Sequence, residues 1–567
     1  PVASQDFTGV PVQPPVAQST SVDVNVLGIA ASAETSAVPA ADGHNLPLTY
    51  AVETPPAYGS ASVDPGTGVF TYSIAGHAQA AVDSFRVAVS NASAQSTAQI
   101  AVQLRSDPLL QNQWHLRNTG QDAFASTLPV PGNDMNMAAA WSAGYSGKGI
   151  KVGVVDTGLE AAHEDLAANV DLANSFNFVT GLNDPSPDAG EPGFDHGTSV
   201  AGIIGAAAFN RKGGRGVAYN SRLRGYNLLS SFTVANMAKS LGSDPVSADN
   251  DVFNASFGNA APSLPTFSGV YQSITANTLA LREGRGAAIV NAAGNDFEDW
   301  GSYPDSGLCA AANAYGVSCG DTATDERRGG YAPIIVGAID ADGRHSSYSN
   351  TGASLWISAP AGEYGLDSAY FPGLDPDAYA PAIVTTSRTG CANARYSLAA
   401  NPLDALGDSP FAANCQYTAT MNGTSAATPN VTGVVAMMLE ANPDLTVRDL
   451  KHILAKTARK TDASFAGVRA TDIIQGSAVV LEHGWVTNSA GWPFSNRYGF
   501  GAVDASAAVA MAKTYADYLP PVQSSSDEFL VAPPAIVAPL SATGSRATIT
   551  VAETFNTVES VIVFLNI

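Results

Sequence analysis

The chain has 567 residues, of which 45% are hydrophobic and 14% charged, and its 27 basic and 50 acidic residues give a net charge of −23. This acidic balance argues against nucleic acid and anionic membranes as partners, and no apolar run approaches the ~18 residues of a membrane span. The length suggests about three or four domains. The chain starts at Pro1 without a signal peptide, which indicates a mature or trimmed product.

The N-terminal part of the chain divides into a tail and a β domain. Residues 1–19 are rich in Pro, Val and Ser without periodicity, so we predict a flexible tail. Residues 20–105 alternate short apolar runs such as 84–89 with turn clusters such as 64–68, which predicts an all-β sandwich of about seven strands. The stretch 68–85 resembles the cadherin-like or Ig-like repeats of bacterial extracellular proteins.

The rest of the chain changes character twice. Residues 107–515 alternate strand-like apolar runs, such as 150–155 and 334–338, with helical stretches. This predicts an α/β fold with a doubly wound parallel sheet. Residues 516–537 are rich in Pro and Ser and predict a linker. Residues 538–567 are strand-like but too few for an independent β domain, so we predict the start of a domain that is cut off.

The four cysteines form two local pairs in the sequence, Cys309 with Cys319 and Cys391 with Cys415. Four cysteines allow three connectivities, and we expect the sequence-local one. Four buried thiols are the alternative. No CxxC motif is present, so zinc and redox motifs have no support.

Three short motifs carry groups that are suited to nucleophilic catalysis. Asp156 ends an apolar strand, His196 opens a helix of small residues, and Ser425 lies in a Gly-Thr-Ser-Ala motif that opens another helix. Each has an ordinary structural explanation, as a cap, a structural histidine or a helix start. The three motifs together, in the order Asp, His, Ser, indicate a catalytic site far more specifically than any one of them alone.

The chemistry of acyl transfer needs these residue types. A serine hydroxyl is a weak nucleophile and needs an adjacent general base, for which His196 has a suitable pKa range. The imidazolium that forms needs an anion that also fixes its tautomer, and Asp156 fits this role. Asn295 follows the strand 287–290, and its amide can donate to the tetrahedral oxyanion.

These motifs resemble those of the subtilisin-like serine proteases, whose chain order they share, and the resemblance covers about residues 107–515. It implies a triad of Asp156, His196 and Ser425, with Asn295 and the Ser425 N–H as oxyanion donors. The segment 254–258 resembles the edge strand that pairs with the substrate backbone. That likeness implies substrate binding by Ser256, Phe257 and Gly258; the alternative is an ordinary buried strand.

Further segments resemble the kexin/furin-like proprotein convertases, namely 107–116, 138–141, 144–150, 214–220 and 439–446. The stretch 555–561 resembles the opening strands of their P domain. Where convertases place acids that select basic side chains, this chain has 259–263 without any acid, so strict dibasic specificity is not expected. Where convertases carry a Glu for a further calcium site, this chain has Asn350.

Acidic residues recur near the expected wall of the S1 pocket, at Asp321, Asp325 and Glu326. A basic preference at S1 is one interpretation of this cluster. The other, which we favour, is a solvated charge cluster that is paired with Arg327 and Arg328.

The resemblance also implies one calcium site. Its ligands would be the side chains and carbonyl groups of Asp107, Asp165, Ala207, Asn210, Lys212 and Gly214. Six oxygens with two negative charges suit Ca²⁺ and not Zn²⁺. A weaker second candidate combines Asn177, Asp184 and Asp188, for which a polar surface loop is the alternative.

The sequence therefore predicts a secreted, monomeric, calcium-binding serine endopeptidase that acts on protein or peptide substrates. An adhesion or matrix-binding protein is the alternative, with residues 20–105 carrying the function. A third hypothesis makes residues 20–105 a pro-segment, although such segments are usually compact α/β units. We expect an accessory domain instead.

Overall fold

The computed structural model describes residues 12–187, 195–258, 269–298, 306–393, 398–474 and 477–519. Backbone contacts divide the chain into two compact units, one of residues 1–111 with 208–212 and the other of residues 112–207 with 213–567. The predicted start of a P domain, 538–567, and most of the predicted linker lie outside the described residues.

The described part of the first unit contains nine strands: β1 (Val16–Ala17), β2 (Thr20–Asn25), β3 (Ser32–Ala37), β4 (Ala40–Ala41), β5 (Thr49–Thr54), β6 (Ser60–Val63), β7 (Val69–Ile74), β8 (Val82–Ser90) and β9 (Gln95–Arg105). Seven of them form a four-stranded sheet of order β2-β9-β8-β5 and a three-stranded sheet of order β3-β7-β6, while β1 pairs with β4. The predicted tail is thus wrong for Val16 and Ala17, which pair with Ala41 and Ala40.

Both sheets of this unit contribute to one apolar core. The alternating pattern of β7 and β8 places Phe70 and Phe85 in that core, where their rings meet edge to face at 5.3 Å. Alternation of this kind buries one face of an antiparallel sheet and leaves the other in water.

The second unit is built on a parallel sheet of six strands: β10 (Lys151–Val155), β11 (Arg222–Tyr226), β12 (Val252–Ala255), β13 (Ala288–Ala292), β14 (Ile334–Ile339) and β15 (Ile357–Pro360). Their order is β11-β10-β12-β13-β14-β15. These strands are almost wholly buried, as is usual for a parallel sheet with both faces covered.

The described helices of this unit are α1 (Ala138–Ser142), α2 (His196–Gly205), α3 (Val234–Ser240), α4 (Gly269–Ala280), α5 (Ser306–Ala314), α6 (Thr424–Ala441), α7 (Val447–Thr457) and α8 (Ala505–Thr514). Short antiparallel pairs complete it: β16 (Ile383–Thr386) with β17 (Tyr417–Met421), β18 (Gly467–Ile474) with β19 (Ser477–His483), and β20 (Val486–Thr487) with β21 (Pro493–Phe494). The predicted α/β class is confirmed. None of the described helices is long and apolar enough to cross a membrane.

The strand order brings the catalytic candidates to one edge of the sheet. The order reverses beside β10, because β11 lies on one side of it and β12 on the other. Ligands of open α/β sheets bind outside the carboxyl ends of the strands at such a reversal. Helices α2 and α6 pack against each other, and α6 also packs against strands β12 to β15.

The structure contains two disulfide bonds, Cys309–Cys319 and Cys391–Cys415. This is the sequence-local pairing, and no free cysteine is left. Each bond closes a short loop, of 10 and 24 residues of separation.

Candidate active site

Asp156 and His196 form a short hydrogen bond at the carboxyl end of β10. Asp156 follows that strand and is completely buried, and its Oδ1 also accepts the N–H of Thr157 at 2.7 Å. His196 is the first residue of α2, and its Nδ1 lies 2.7 Å from Oδ1 of Asp156. Since a carboxylate accepts, Nδ1 is the nitrogen that carries the proton in this pair, and Nε2 is then the basic nitrogen of a neutral ring.

Ser425 is the second residue of α6, the buried helix whose N-terminus faces the same edge. Its hydroxyl donates to the backbone carbonyl of Ser256 at 3.1 Å, and the Ser256 hydroxyl donates to the carbonyl of Ser425 at 3.0 Å. A hydroxyl has one proton to donate, so Ser425 must give up this hydrogen bond before its hydroxyl can donate to a base.

The amide of Asn295 is oriented by the same helix start. Its Oδ1 accepts the N–H of Thr424 at 2.8 Å and the Thr424 hydroxyl at 2.9 Å. A backbone N–H can only donate, so the atom facing Thr424 is the oxygen and the NH₂ group points away. Asn295 is exposed, which leaves that NH₂ group accessible. The N–H of Thr424, one of the N–H groups without a partner inside the helix at its N-terminus, is hydrogen-bonded in this way.

Asn350, which the sequence analysis named only for the missing calcium-site Glu, holds the loop around Asn295. Asn350 is 2% exposed; its N–H donates to the carbonyl of Gly294 at 2.9 Å, and its Oδ1 accepts the N–H of Asp296 at 2.6 Å. Its Nδ2 donates to Oδ2 of Asp296 at 3.2 Å. The backbone is therefore fixed on both sides of Asn295. Burial raises the pKa of Asp296, against the Asn350 hydrogen bond and the charge of Arg328.

The predicted substrate strand differs from an edge strand. Asn254 and Ala255 belong to β12, which pairs with β10 on one side and β13 on the other. Residues 256–258 continue past the end of β12 without belonging to a strand of the described sheet. The side chain of Asn291, a residue of β13, holds this segment: its Nδ2 donates to the carbonyls of Ala255 at 2.6 Å and Phe257 at 3.0 Å.

The acids near the expected S1 wall differ in their exposure: Asp321 is exposed, whereas Asp325 is buried. The favoured interpretation of a solvated cluster is therefore wrong for Asp325. Arg327 donates to Asp325 through Nε at 2.9 Å and Nη2 at 2.6 Å. The side chains of Arg327 and Asp325 are 9% and 3% exposed. Arg327 also lies over the ring of Phe257, 5.5 Å from its centre. Asp325 is thus committed to a buried ion pair.

The residues predicted to bind calcium fall in both units. Asp165 is completely buried in the larger unit, and its backbone carbonyl accepts the N–H of Ala207 at 2.8 Å. A Cβ at Gly213, beside the predicted ligand Gly214, would overlap Oδ2 of Asp165. The chain therefore passes directly against this buried carboxylate.

The other predicted ligands lie in the smaller unit. The N–H of Asn210 donates to Oδ1 of the buried Asp107 at 3.1 Å, and Oδ1 of Asn210 accepts the N–H of Lys212 at 2.9 Å. That the two sets share one ion stays a prediction. Within the described residues, no three His, Cys, Asp or Glu side chains form a metal-binding group, so an ion would depend on carbonyl and amide oxygens as well.

The weaker second calcium candidate is better explained as a polar loop. Oδ1 of Asn177 already accepts three hydrogen bonds, from the N–H groups of Val179 and Thr180 and from Nδ2 of Asn227. Its Nδ2 donates to the carbonyl of Asp184 at 3.0 Å. The third predicted ligand, Asp188, lies outside the described residues.

Comparison with known protein families identifies the class of this protein. Residues 147–501 match the model of the subtilase family, Peptidase_S8. These residues make up more than half of the chain, so the chain belongs to the subtilase family, and its larger unit has the subtilisin-like fold.

Individual relatives agree with this class. The Aeromonas extracellular serine protease of Aeromonas sobria is 37% identical over 431 residues, which cover 74% of this chain and 66% of the relative. Neuroendocrine convertase 2 of Mus musculus is 29% identical, over 72% of this chain and 53% of its own length. A crystal structure of the serine protease of Aeromonas sobria matches with a TM-score of 0.65 and 35% identity, covering 73% of this chain and 69% of that chain.

This chain thus spans about half to two thirds of the length of the curated relatives named here. The matches support the likeness to bacterial extracellular proteases and to convertases. The cadherin-like and P-domain resemblances stay predictions.

Proposed function

We propose that this chain is a serine endopeptidase that cleaves proteins through an acyl-enzyme, with Asp156, His196 and Ser425 as its triad. The observation that carries the proposal is the 2.7 Å bond between His196 Nδ1 and the buried Oδ1 of Asp156, at the sheet edge where α6 presents Ser425. Membership of the subtilase family supports it. The adhesion hypothesis has no support from the comparisons.

The proposed mechanism assigns one role to each group. The Ser425 hydroxyl gives up its hydrogen bond to the Ser256 carbonyl, and Oγ attacks the scissile carbonyl carbon while its proton passes to Nε2 of His196. Asp156 keeps the Nδ1 proton in place and stabilises the imidazolium. The NH₂ group of Asn295 and the N–H of Ser425 donate to the oxyanion. The imidazolium then protonates the leaving amine, and water hydrolyses the acyl-enzyme by the same steps.

A fluorophosphonate that labels activated serines tests this function. We expect stoichiometric labelling of the wild-type chain, with the adduct on the peptide that contains Ser425. Ser142→Ala, at an exposed position in α1, should label like the wild type, and Ser425→Ala should not label. An unlabelled wild-type chain that is folded, or an adduct on another serine, would contradict the proposal.

We also propose that the enzyme is secreted and binds Ca²⁺ for stability. Two disulfide bonds suit an oxidising environment, and the Aeromonas relative is described as extracellular. Asp165 is a completely buried carboxylate, and the resemblance to the convertases places it among the calcium ligands. An oxygen-only donor set suits Ca²⁺. The ion would hold chain segments together, and no catalytic step would pass through it.

Chelation should therefore weaken the fold. An ion that binds only the folded state stabilises it by about 2.7 kcal/mol at a hundredfold excess over its Kd. We expect EDTA to lower the Tm of the Ser425→Ala protein, which cannot digest itself, and Asp165→Ala to lower it without a response to millimolar Ca²⁺. The control is Asp184→Ala, which should respond to Ca²⁺ like its parent. An unchanged Tm in EDTA would rule out the site.

A further inference from the structure

A proline removes the usual hydrogen-bond donor of the backbone carbonyl of Ser425. In an α-helix, the carbonyl of each residue accepts the N–H of the residue four positions further on. For Ser425, the second residue of α6, that residue is Pro429, which lies inside the helix and has no N–H. The residue that carries the proposed nucleophile therefore needs a donor for its carbonyl from another part of the chain.

The hydroxyl of Ser256 supplies such a donor. It donates to the carbonyl of Ser425 at 3.0 Å, although the two residues are 169 positions apart. Both residues are buried, with 3% of Ser256 and 8% of Ser425 exposed. Because a buried carbonyl without a donor is costly, this bond takes the place of the helix bond and holds the backbone of Ser425 against the end of β12.

Asn254 sets the direction in which the Ser256 hydroxyl donates. Nδ2 of Asn254 lies 3.0 Å from Oγ of Ser256. An amide nitrogen only donates, so Oγ accepts there and its own proton is left for the carbonyl of Ser425. Oδ1 of Asn254 accepts the hydroxyl of Thr432, in α6, at 2.9 Å, and both of these residues are completely buried. A buried network from β12 to α6 therefore holds the donor in place.

The two hydrogen bonds between Ser256 and Ser425 differ in their fate during the proposed reaction. The bond from the Ser425 hydroxyl to the Ser256 carbonyl is given up when the nucleophile attacks. The bond from the Ser256 hydroxyl involves only the backbone of Ser425, so it remains when the side chain reacts. It therefore holds the Cα from which the attacking Oγ extends, and small displacements of a reacting group are costly in rate.

We propose that Ser256 is a positioning residue for the nucleophile: its hydroxyl replaces the helix hydrogen bond that Pro429 removes and holds Ser425 in place for attack. The inference rests on the proposed function. It adds a side-chain role to the substrate contact that the sequence predicts for Ser256.

A double-mutant cycle between Ser256 and Pro429 tests this role. Ser256→Ala removes the donor but keeps the backbone carbonyl of residue 256, so we expect kcat to fall by about tenfold with little change in KM. Pro429→Ala gives position 429 an N–H, which restores a donor to the Ser425 carbonyl. In that background Ser256→Ala should lower kcat by less than about threefold. Steady-state kinetics of the four proteins on one peptide substrate measures these effects.

The matched control is Ser240→Ala, in α3. Ser240 is also a buried serine, and its hydroxyl donates to a helix carbonyl, that of Met237 at 2.9 Å. This variant loses a comparable hydrogen bond and should keep the kcat of the wild type.

An unchanged kcat in folded Ser256→Ala would overturn the inference. An equal loss in both backgrounds would also overturn it, because an N–H at position 429 cannot compensate for a contact made elsewhere. Both results leave the proposed function intact, whereas a folded wild-type chain that does not cleave the peptide contradicts that function itself. If Ser256→Ala does not fold, Ser256→Cys keeps a weaker donor. Its kcat should be low and recover on Pro429→Ala, and a kcat that Pro429→Ala leaves unchanged would overturn the inference.

Discussion

Ser425→Ala is expected to lower kcat by about six orders of magnitude, the loss that removal of the nucleophile causes in subtilisin, because the members of a triad act as a unit. The fold should persist, since a buried serine of α6 is replaced by the smaller alanine, which has the highest helix propensity of all residues. Turnover of casein by the purified variant, together with its Tm, measures both quantities.

The control for this substitution is Ser142→Ala, which changes an exposed serine at the end of α1 and should keep wild-type turnover. A double variant with His196→Ala should be no slower than Ser425→Ala alone, because the base has no function without the nucleophile. Residual turnover within tenfold of the wild type in Ser425→Ala would show that the triad is wrongly assigned.

Asn295→Ala is expected to lower kcat by about 10²–10³ with little change in KM, the cost known for an oxyanion-hole amide in subtilisin. Asn350→Ala should lower kcat by about tenfold, because it removes the side-chain hydrogen bonds to Asp296, the residue after Asn295, and with them about 1–1.5 kcal/mol of positioning. The backbone bond from residue 350 to Gly294 is kept. Steady-state kinetics on one peptide substrate measures both effects.

A double-mutant cycle separates positioning from general loss of structure. If Asn350 acts through Asn295, Asn350→Ala should have almost no effect on kcat once Asn295 is alanine. Additive losses in the double variant would mean that Asn350 supports the fold only. Asn313→Ala is a matched control, since the side-chain amide of this asparagine donates to the backbone carbonyl of Phe297 at 2.6 Å, two residues beyond Asn295.

Residue types and spacing were enough to predict the fold class and the triad candidates. The apolar runs that became β10, β13 and β14 are five to six residues long and contain β-branched side chains, which is typical of buried parallel strands. Acyl transfer admits few residue types, so Asp156, His196 and Ser425 could be selected by chemistry before their geometry was known. The pairing of β12 on both sides was not foreseen, because strand order depends on how the whole sheet assembles.

The tertiary structure alone decided how the candidate groups are held. Thr424 fixes the amide of Asn295 across 129 residues, and Ser256 takes the hydroxyl of Ser425 across 169. Local sequence carries no signal for contacts of such separation. The burial of Asp325 was likewise invisible, since the same run of acids and arginines can be solvated or enclosed. The guanidinium of Arg328 lies close to both Gly258 and Gly294, although these residues are far apart in the sequence. The absence of a side chain at the two glycines is the only sign of this contact in the sequence.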